Sequence, residues 1–305
     1  MMMDKAELVS RLRDLSAGEV RADEPLSAHT SFHIGGPADA LVLPGREEDI
    51  AAVLRFAAET ATPLAVLGNG SNVLVRDKGI RGIVLVLGNV LKYHRQEGSR
   101  MVFSSGLSLA AASRLAGEAG LTGMEFAVGI PGSIGGALFM NAGAYDGEMK
   151  DVVTAARLLD YDGTVRTVGK EELDLGYRHS VLQERHAIVL DITTELKPGN
   201  PAAIQAKMND FSQRRQSKQP LEMPSAGSTF RRPAGHFVGP MVEKAGLKGY
   251  RIGGAQVSTK HAGFVVNAGG ATAADVLALI RHIQDVIRRT DGVELVPEVM
   301  ILGEE

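Results

Sequence analysis

The 305-residue chain contains no cysteine. This absence excludes disulfide bonds, thiolate metal ligands and a cysteine nucleophile together, and it fits a reducing cytoplasm. The chain also lacks any apolar run of about 20 residues, the length that a helix needs to span a bilayer. Its charged N-terminus, MMMDKAELVSRLRDL, has no apolar core of signal-peptide length. We therefore expect a cytoplasmic protein that is neither exported nor bound to a membrane.

An excess of positive charge is missing as well. The 33 Lys and Arg are balanced by 36 Asp and Glu, which gives a formal net charge of -3. Nucleic-acid binding needs clustered basic residues, so nucleic acid is not an expected partner. With 44% hydrophobic and 23% charged residues, the composition is that of a globular protein. The length allows two domains, each with its own core.

The hydrophobic pattern predicts a mixture of helices and strands. Apolar residues recur at helical spacing and predict helices, whereas short β-branched runs between glycine-containing turns predict strands. The Asp162-Gly163 dipeptide favours a hairpin with a two-residue turn. The predicted helices lie at 47–59, 107–119, 202–216 and 274–289, and the predicted strands lie at 64–67, 73–75, 83–87 and 293–302.

A domain junction is predicted at the segment KPGNP, Lys197 to Pro201. Its two prolines and its glycine end the preceding strand and suit a linker. We therefore expect one domain at 1–198 and a C-terminal domain at 199–305.

Two glycine-rich segments have the composition of phosphate-binding loops. GNGSN at 68–72 lies between two predicted strands, and a longer run, GIPGSIGGALFMNAGA, covers 129–144. Glycines allow backbone N–H groups to approach an anion closely, so two such loops could hold a diphosphate from both sides. Tight turns explain either loop equally well on composition alone. The spacing of the glycines does not match the G-x-G-x-x-G fingerprint, so a Rossmann domain is not supported.

Three segments in order carry a more specific signal: HTSFHIGGPAD at 29–39, LGNGSNVLV at 67–75 and GIPGSIGGALFMNAGAY at 129–145. Together with Tyr177-Arg178, PSAGSTF and LVPEV, they resemble the bacterial UDP-N-acetylenolpyruvoylglucosamine reductase (MurB) family over nearly the whole chain. The resemblance implies an α+β fold: an FAD-binding domain of the vanillyl-alcohol-oxidase/PCMH type, made of two α+β subdomains, and a C-terminal α+β substrate-binding domain.

The resemblance also implies an activity. NADPH reduces a non-covalently bound FAD, which passes hydride to the enolpyruvyl group of UDP-N-acetylglucosamine-enolpyruvate, a step of peptidoglycan precursor synthesis. The partner is a small nucleotide sugar. The residues expected to bind the cofactor are those of the two glycine loops: Gly68, Asn69, Gly70, Ser71, Asn72, Gly129, Pro131, Gly132, Ser133, Gly135, Gly136, Asn141, Ala142 and Gly143.

Three residues match the catalytic positions of the family. Ser228 corresponds to the serine that protonates the α-carbon, although a loop serine usually serves a turn. Glu298 follows Pro297 in a predicted strand, where partial burial would suit acid catalysis and an edge position would not. Arg178 corresponds to the arginine that stabilises the enolate, and its guanidinium fork suits a carboxylate, although most arginines are surface residues.

Substrate binding and metal binding are indicated more weakly. A compact basic segment, Arg214, Arg215 and Lys218, could bind the substrate diphosphate, although a basic run is more often a solvated helix face. Arg231 and Arg232 are similar candidates. No metal is expected, because His29 and His33 lack the glutamate of a zinc-binding HExxH helix. The segment between Arg178 and Ser228 is short, so we expect the family's shorter form, without the extra substrate loop. A flavin oxidase of the same superfamily and a non-catalytic nucleotide-binding module remain alternatives.

Overall fold

The structure is a computed structural model, and it describes residues 3–15, 18–88 and 90–305. In these ranges the α-helices are α1 (Lys5–Leu15), α2 (Glu47–Thr60), α3 (Leu109–Glu118), α4 (Ile134–Phe139), α5 (Pro201–Lys218), α6 (Val238–Lys244) and α7 (Ala273–Asp291). All four helices predicted from the periodicity are confirmed, within a few residues at each end.

The strands of the described ranges are β1 (Glu19–Pro25), β2 (Pro37–Leu43), β3 (Leu64–Leu67), β4 (Val73–Val75), β5 (Ile80–Val86), β6 (His94–Glu97), β7 (Arg100–Ser104), β8 (Leu121–Thr122), β9 (Gly143–Ala144), β10 (Gly147–Glu148), β11 (Val153–Asp160), β12 (Val165–Gly169), β13 (Ala187–Glu195), β14 (Lys197–Pro198), β15 (Arg251–Ile252), β16 (Ala255–Val257), β17 (Val265–Asn267) and β18 (Met300–Leu302). The predicted strands at 64–67, 73–75 and 83–87 are confirmed.

Two compact units divide the chain. The first unit comprises Met1–Ala22, Ala40–Asn69 and Gly82–Arg215, and the second comprises Asp23–Asp39, Gly70–Arg81 and Gln216–Glu305. The division into domains at 1–198 and 199–305 stays a prediction. As compact units, however, most of α5 groups with the first unit, and two N-terminal segments group with the C-terminal residues.

The first unit is built on two sheets, each covered by helices. A five-stranded antiparallel sheet has the order β12-β11-β13-β7-β6, and its core includes Phe103, Leu109 and Ile134 from the sheet, α3 and α4. The other sheet has the order β1-β2-β5-β3, with β3 parallel to β5. A second core, which includes Leu12 and Leu54, joins α1 and α2 to these strands.

The second unit packs one long helix against small sheets. Helix α7 buries Val276, Ile280 and Ile287 in a core shared with β16 and β17. Its N-terminus is capped by Thr272, which accepts a hydrogen bond from the Asp275 N–H at 3.1 Å. Asp77 accepts two further bonds, from the N–H groups of Ala273 at 2.7 Å and Ala274 at 2.9 Å. Since the first N–H groups of a helix have no partner within the helix, these caps satisfy them.

Two local predictions are wrong in detail. The hairpin β11-β12 forms, but the Asp160 N–H donates to the Thr164 carbonyl at 2.9 Å, so the loop holds the three residues 161–163, with Gly163 at φ 89°. A three-residue loop with its last residue in the left-handed region is the next most common hairpin connection after the two-residue turn. The strand predicted at 293–302 shrinks to β18, because Pro297 has no N–H to donate and sits in an isolated bridge with Phe230.

No helix in the described part of the chain combines the length and the apolar character that crossing a membrane would require.

Candidate functional site

The two glycine loops of the sequence meet in the first unit. A Cβ atom on Gly68 would lie 2.5 Å from the Ser133 Oγ, closer than a real Cβ can approach. Asn69 is packed similarly, because a Cβ on Gly88 would lie 2.3 Å from its side-chain oxygen. Glycine at 68 thus lets the start of GNGSN and Ser133 of the longer run come together, as expected for loops that share one ligand.

Ser133 begins helix α4 and holds its first turn. Its hydroxyl accepts a hydrogen bond from the Gly136 N–H at 3.3 Å. Gly132, at φ 126°, precedes it in a conformation that favours glycine, and the Gly135 N–H donates to the Ser105 carbonyl at 2.9 Å. The Ser105 hydroxyl is buried and has no hydrogen-bond partner in the described structure. The site therefore holds an unused hydroxyl beside the small residues Gly135 and Gly136.

Asn141 is a buried structural hub. Its amide group donates to the Glu148 carboxylate and to the Gly176 carbonyl, both at 2.8 Å, and its oxygen accepts from the Lys150 N–H at 2.8 Å. These partners occupy most of the hydrogen-bonding capacity of the side chain. Binding of the cofactor by Asn141 stays a prediction. The structure adds a second role, which is to hold the turn that contains Ala142 and Gly143.

Arg178 lies beside that turn, in the same unit. Its guanidinium reaches the Gly143 carbonyl at 3.5 Å and lies 5.2 Å from the ring centroid of Tyr177. Gly176 and His179 exchange two backbone hydrogen bonds around Tyr177 and Arg178, and Arg178 takes φ 54°. A left-handed conformation at a non-glycine residue is uncommon and is enriched at functional sites. The structure thus places Arg178 next to the end of the glycine-rich run.

The second unit brings together three other motifs. The Ser31 N–H and the Gly70 carbonyl are hydrogen-bonded at 3.0 Å, and the Ser31 hydroxyl donates to the Ser225 carbonyl at 2.7 Å. A Cβ on Gly70 would lie 2.0 Å from the His29 carbonyl oxygen, so only glycine fits. His29 itself pairs with Glu24 at 2.8 Å. The segments HTSFH, GNGSN and PSAGSTF therefore form one cluster.

Ser228 and Glu298 lie on two segments that pair with each other. The Glu298 N–H donates to the Thr229 carbonyl at 2.8 Å, and the Arg231 N–H donates to the Val296 carbonyl at 2.9 Å. Asn72, from the first glycine loop, donates its side-chain amide to the Glu298 carbonyl at 3.3 Å. Glu298 is half-buried and Ser228 is exposed. The Glu298 main chain is thus held on both sides.

The predicted basic residues differ in their surroundings. Arg214 is exposed and forms an ion pair with Asp210, one turn earlier. The distances from Nε to Oδ1 and from Nη2 to Oδ2 are both 2.9 Å, as on a solvated helix face. Lys218 is exposed. Arg231 is half-buried, and its buried Nε has no partner among the described residues. Their binding of substrate stays a prediction, and burial favours Arg231 among them.

The neighbouring Arg215 was predicted only as part of the basic segment for the substrate diphosphate, not as a cofactor-binding residue. A Cβ on Gly129 would lie 2.8 Å from the Arg215 Cδ, so this side chain packs directly against the glycine-rich run. Burial lowers the pKa of its guanidinium, and the nearby Tyr145 hydroxyl acts in the opposite direction. A signal for this residue was present in the sequence. The buried residues of α5 are Ile204, Met208 and Phe211, and the next position of that stripe is Arg215.

Comparisons with known proteins cover both units. Residues 38–169 match the family described as "FAD binding domain", and residues 219–302 match the "UDP-N-acetylenolpyruvoylglucosamine reductase, C-terminal domain". A protein of Caldanaerobacter subterraneus subsp. tengcongensis named UDP-N-acetylenolpyruvoylglucosamine reductase is 47% identical over 299 residues, which are 98% of this chain and 99% of that protein. This chain belongs to the UDP-N-acetylenolpyruvoylglucosamine reductase family.

Other relatives agree. A protein of the same name from Levilactobacillus brevis is 50% identical over 287 residues, 94% of both chains. The crystal structure of the reductase (MurB) from Thermus caldophilus matches with a TM-score of 0.80 and 33% identity, over 94% of this chain and all of that one. The predicted family is confirmed, and so is the predicted α+β fold with an FAD-binding domain.

FAD fits the residues of the first unit. Gly68 and Gly129 let Ser133 and Arg215 pack directly against the backbone of the two loops, while the Ser105 hydroxyl and the Arg215 Nε are buried hydrogen-bonding groups without partners in the described structure. Buried polar groups in proteins nearly always have a partner, so these two groups are available to a bound ligand. The predicted cofactor, FAD, is thereby supported by both the family and the chemistry of the site.

Proposed function

We propose that this chain catalyses the NADPH-dependent reduction of UDP-N-acetylglucosamine-enolpyruvate to UDP-N-acetylmuramate, as a flavoenzyme of peptidoglycan precursor synthesis. The observation that carries the proposal is the pairing of the Ser228 and Glu298 segments through Thr229, joined by Asn72 of the first glycine loop. Both segments lie in the part of the chain that matches the reductase C-terminal domain, residues 219–302.

FAD, which the two glycine loops would hold, would accept hydride from NADPH and supply it for addition to the β-carbon of the enolpyruvyl group. This addition builds negative charge on the α-carbon and the carboxylate of the substrate. The protein must stabilise that charge and then supply a proton.

Three side chains are proposed for these tasks. The Ser228 hydroxyl gives its proton to the α-carbon. It makes no hydrogen bond to another described residue, so its proton is not already engaged. Arg178 stabilises the enolate, because a guanidinium can bond both carboxylate oxygens. Glu298 polarises the intermediate or assists its protonation, and its half-buried position on a fixed main chain suits that role.

The test is an absorbance spectrum of the purified protein, followed by anaerobic addition of NADPH with and without the enolpyruvyl nucleotide. We expect a flavin spectrum that NADPH bleaches and that the nucleotide restores. A protein that shows no flavin absorbance even after FAD is supplied would overturn the whole proposal. A reduced flavin that the nucleotide fails to reoxidise would overturn the substrate assignment alone.

Two alternatives predict other outcomes of the same experiment. A flavin oxidase of the superfamily would be reoxidised by oxygen and would be indifferent to the nucleotide. A nucleotide-binding module would bind its ligand without any redox change. The motifs PSAGSTF and LVPEV disfavour both, because they lie in the segment that matches the reductase.

The proposal includes the cellular setting expected from the sequence. The enzyme acts in the cytoplasm on a small nucleotide sugar, with neither nucleic acid nor a membrane as partner. Of the family's two forms it is the shorter, without the extra substrate loop.

A further inference from the structure

Helix α5 carries two adjacent arginines with opposite surroundings. Arg214 is exposed and is neutralised by Asp210. Arg215 points to the other side, against Gly129, and its Nε is buried without a hydrogen-bond partner. No carboxylate of the described residues lies within ion-pair distance of Arg215. Arg215 is half-buried, and a cation with a buried, unpartnered Nε and no counter-ion is costly, so the arrangement favours an anion from outside the chain.

Gly129 is a glycine for reasons of space. Its φ is not in the left-handed region, so the backbone conformation does not require glycine. Any side chain would instead collide with the Arg215 Cδ at 2.8 Å. The glycine-rich run is therefore shaped at its first residue to receive this arginine.

Tyr145 fixes the helix in that position. It lies in the two-residue turn between β9 and β10, at φ 52°, with Asp146 at φ 64°. Its ring stacks on Phe211 with centroids 4.4 Å apart, and its hydroxyl donates to the Phe211 carbonyl at 3.1 Å. Phe211 is one turn before Arg215 on α5. A strained turn thus holds the helix, and with it the guanidinium, against the glycine-rich run.

We propose that Arg215 binds the diphosphate of FAD. Gly129 belongs to the segment that matches the FAD-binding domain, whereas Arg215 lies between the two matched segments, 38–169 and 219–302. The diphosphate is the formally charged group of oxidised FAD, and a guanidinium fork matches its oxygens. The proposal rests on the proposed function insofar as FAD is the bound cofactor.

The experiment is a titration of the full-length protein, stripped of flavin, with FAD and in parallel with riboflavin, which has the flavin ring but no phosphate. Loss of a buried charge-assisted hydrogen bond costs about 1.5–3 kcal/mol, so Arg215→Gln is expected to weaken FAD binding about 10- to 100-fold. Riboflavin affinity is expected to change less than about twofold, because the variant leaves the ring site intact. The matched control, Arg114→Gln, removes an exposed arginine of α3 and is expected to leave both affinities unchanged.

Gly129→Ala is a second, independent variant. Its new methyl group displaces Arg215, so it is expected to weaken FAD binding while sparing riboflavin. Adding it to Arg215→Gln is expected to have little further effect, because both changes remove the same contact. Wild-type FAD affinity in Arg215→Gln, or equal losses for FAD and riboflavin, would overturn the proposal. If Arg215→Gln does not fold, the same two outcomes measured with Gly129→Ala, unchanged FAD affinity or equal losses for FAD and riboflavin, would overturn the proposal.

This readout is separate from turnover. A protein that binds FAD through Arg215 but does not reduce the enolpyruvyl nucleotide would sustain this inference and refute the proposed activity. Normal turnover by the wild-type protein, together with unchanged FAD affinity in Arg215→Gln, would support the proposed activity and refute this inference.

Discussion

The Glu298 N–H and the Thr229 carbonyl are joined by a 2.8 Å hydrogen bond, which ties the acid of one motif to the residue that follows Ser228 in another. The side chains of Thr229 and Glu298 contribute nothing to this bond. Substitutions of Ser228 or Glu298 can therefore test chemistry without breaking the pairing.

Replacing Ser228 with alanine is expected to separate the two half-reactions. NADPH-driven flavin reduction stays within about twofold, whereas reoxidation by the enolpyruvyl nucleotide slows by about 10²- to 10⁴-fold, the usual contribution of a positioned proton donor. Anaerobic stopped-flow absorbance measures both steps. Because Ser228 is exposed, FAD content and melting temperature should match those of the wild type. Equal slowing of both half-reactions would contradict its role as a proton donor.

Asn141→Ala is expected to destabilise the first unit. The change removes three hydrogen bonds of a fully buried side chain and leaves the Lys150 N–H and the Gly176 carbonyl without their partner. We expect a loss of about 2–4 kcal/mol in the free energy of unfolding, measured with urea. Asn209→Ala on the exposed face of α5 is the control, with an expected change below about 0.5 kcal/mol. Similar values for the two variants would mean that Asn141 is not a structural hub.

Glu125 makes stability depend on pH. Burial raises its pKa, but hydrogen bonds from the Thr122 hydroxyl and the Gly123 N–H, with Lys207 nearby, outweigh this and hold the pKa below its ordinary value. A carboxyl with a depressed folded-state pKa stabilises the fold above its unfolded pKa, and that contribution is lost as the pH falls through the folded one.

The corresponding variant is Glu125→Gln. At pH 7 it is expected to be about 1–3 kcal/mol less stable than the wild type, and the difference should narrow as the pH falls from about 5 to about 3. Urea unfolding at several pH values gives this curve. Glu118→Gln, at an exposed position of α3, should leave stability nearly unchanged throughout. A constant gap for Glu125→Gln between pH 7 and pH 3 would refute the assignment.

Asp77 is expected to support the second unit from a distance. Its carboxylate accepts hydrogen bonds from the first N–H groups of α7, although it lies far from that helix in sequence. Asp77→Ala should cost about 1–2 kcal/mol, the range for loss of an N-cap. Thermal unfolding measures this, with Asp285→Ala on the exposed side of α7 as the comparison. An unchanged melting temperature in Asp77→Ala would show that Thr272 alone caps the helix.

Elements with strong local patterns were predictable from the sequence. Helix α7 has a continuous apolar stripe and a capping box, and α2 has acids in its first turn, so both could be placed. The loop at Gly163 was harder, because Asp-Gly favours a short turn and the pairing of the strands decided its length. The Asp-Gly dipeptide identified the position of the turn, whereas the pairing of β11 with β12 set the length of the loop.

The sequence indicated the glycine loops of the candidate site more clearly than it indicated which arginines face them. Motif resemblance predicted Arg178 and Ser228, because their neighbours form a recognisable pattern. It did not distinguish Arg214 from Arg215, since one step along a helix turns a side chain by about 100°. Helix α5 is mostly polar, so its buried stripe is weak, and only the position of Gly129 shows which arginine faces inward. The grouping of 23–39 and 70–81 with the C-terminal residues depends on contacts that no local pattern encodes.

The parallel pairing of β4 with β18, in which Val73 is opposite Met300, has a consequence for synthesis on the ribosome. The first unit is translated in full before residues 300–302 exist, so it can acquire its core while β4 still has an open edge. Pairing between segments so distant along the chain is slow, and unpaired strand edges are sites of aggregation. We therefore expect the nascent chain to pass through a stage in which 70–81 depends on chaperones, a vulnerability that the finished enzyme no longer shows.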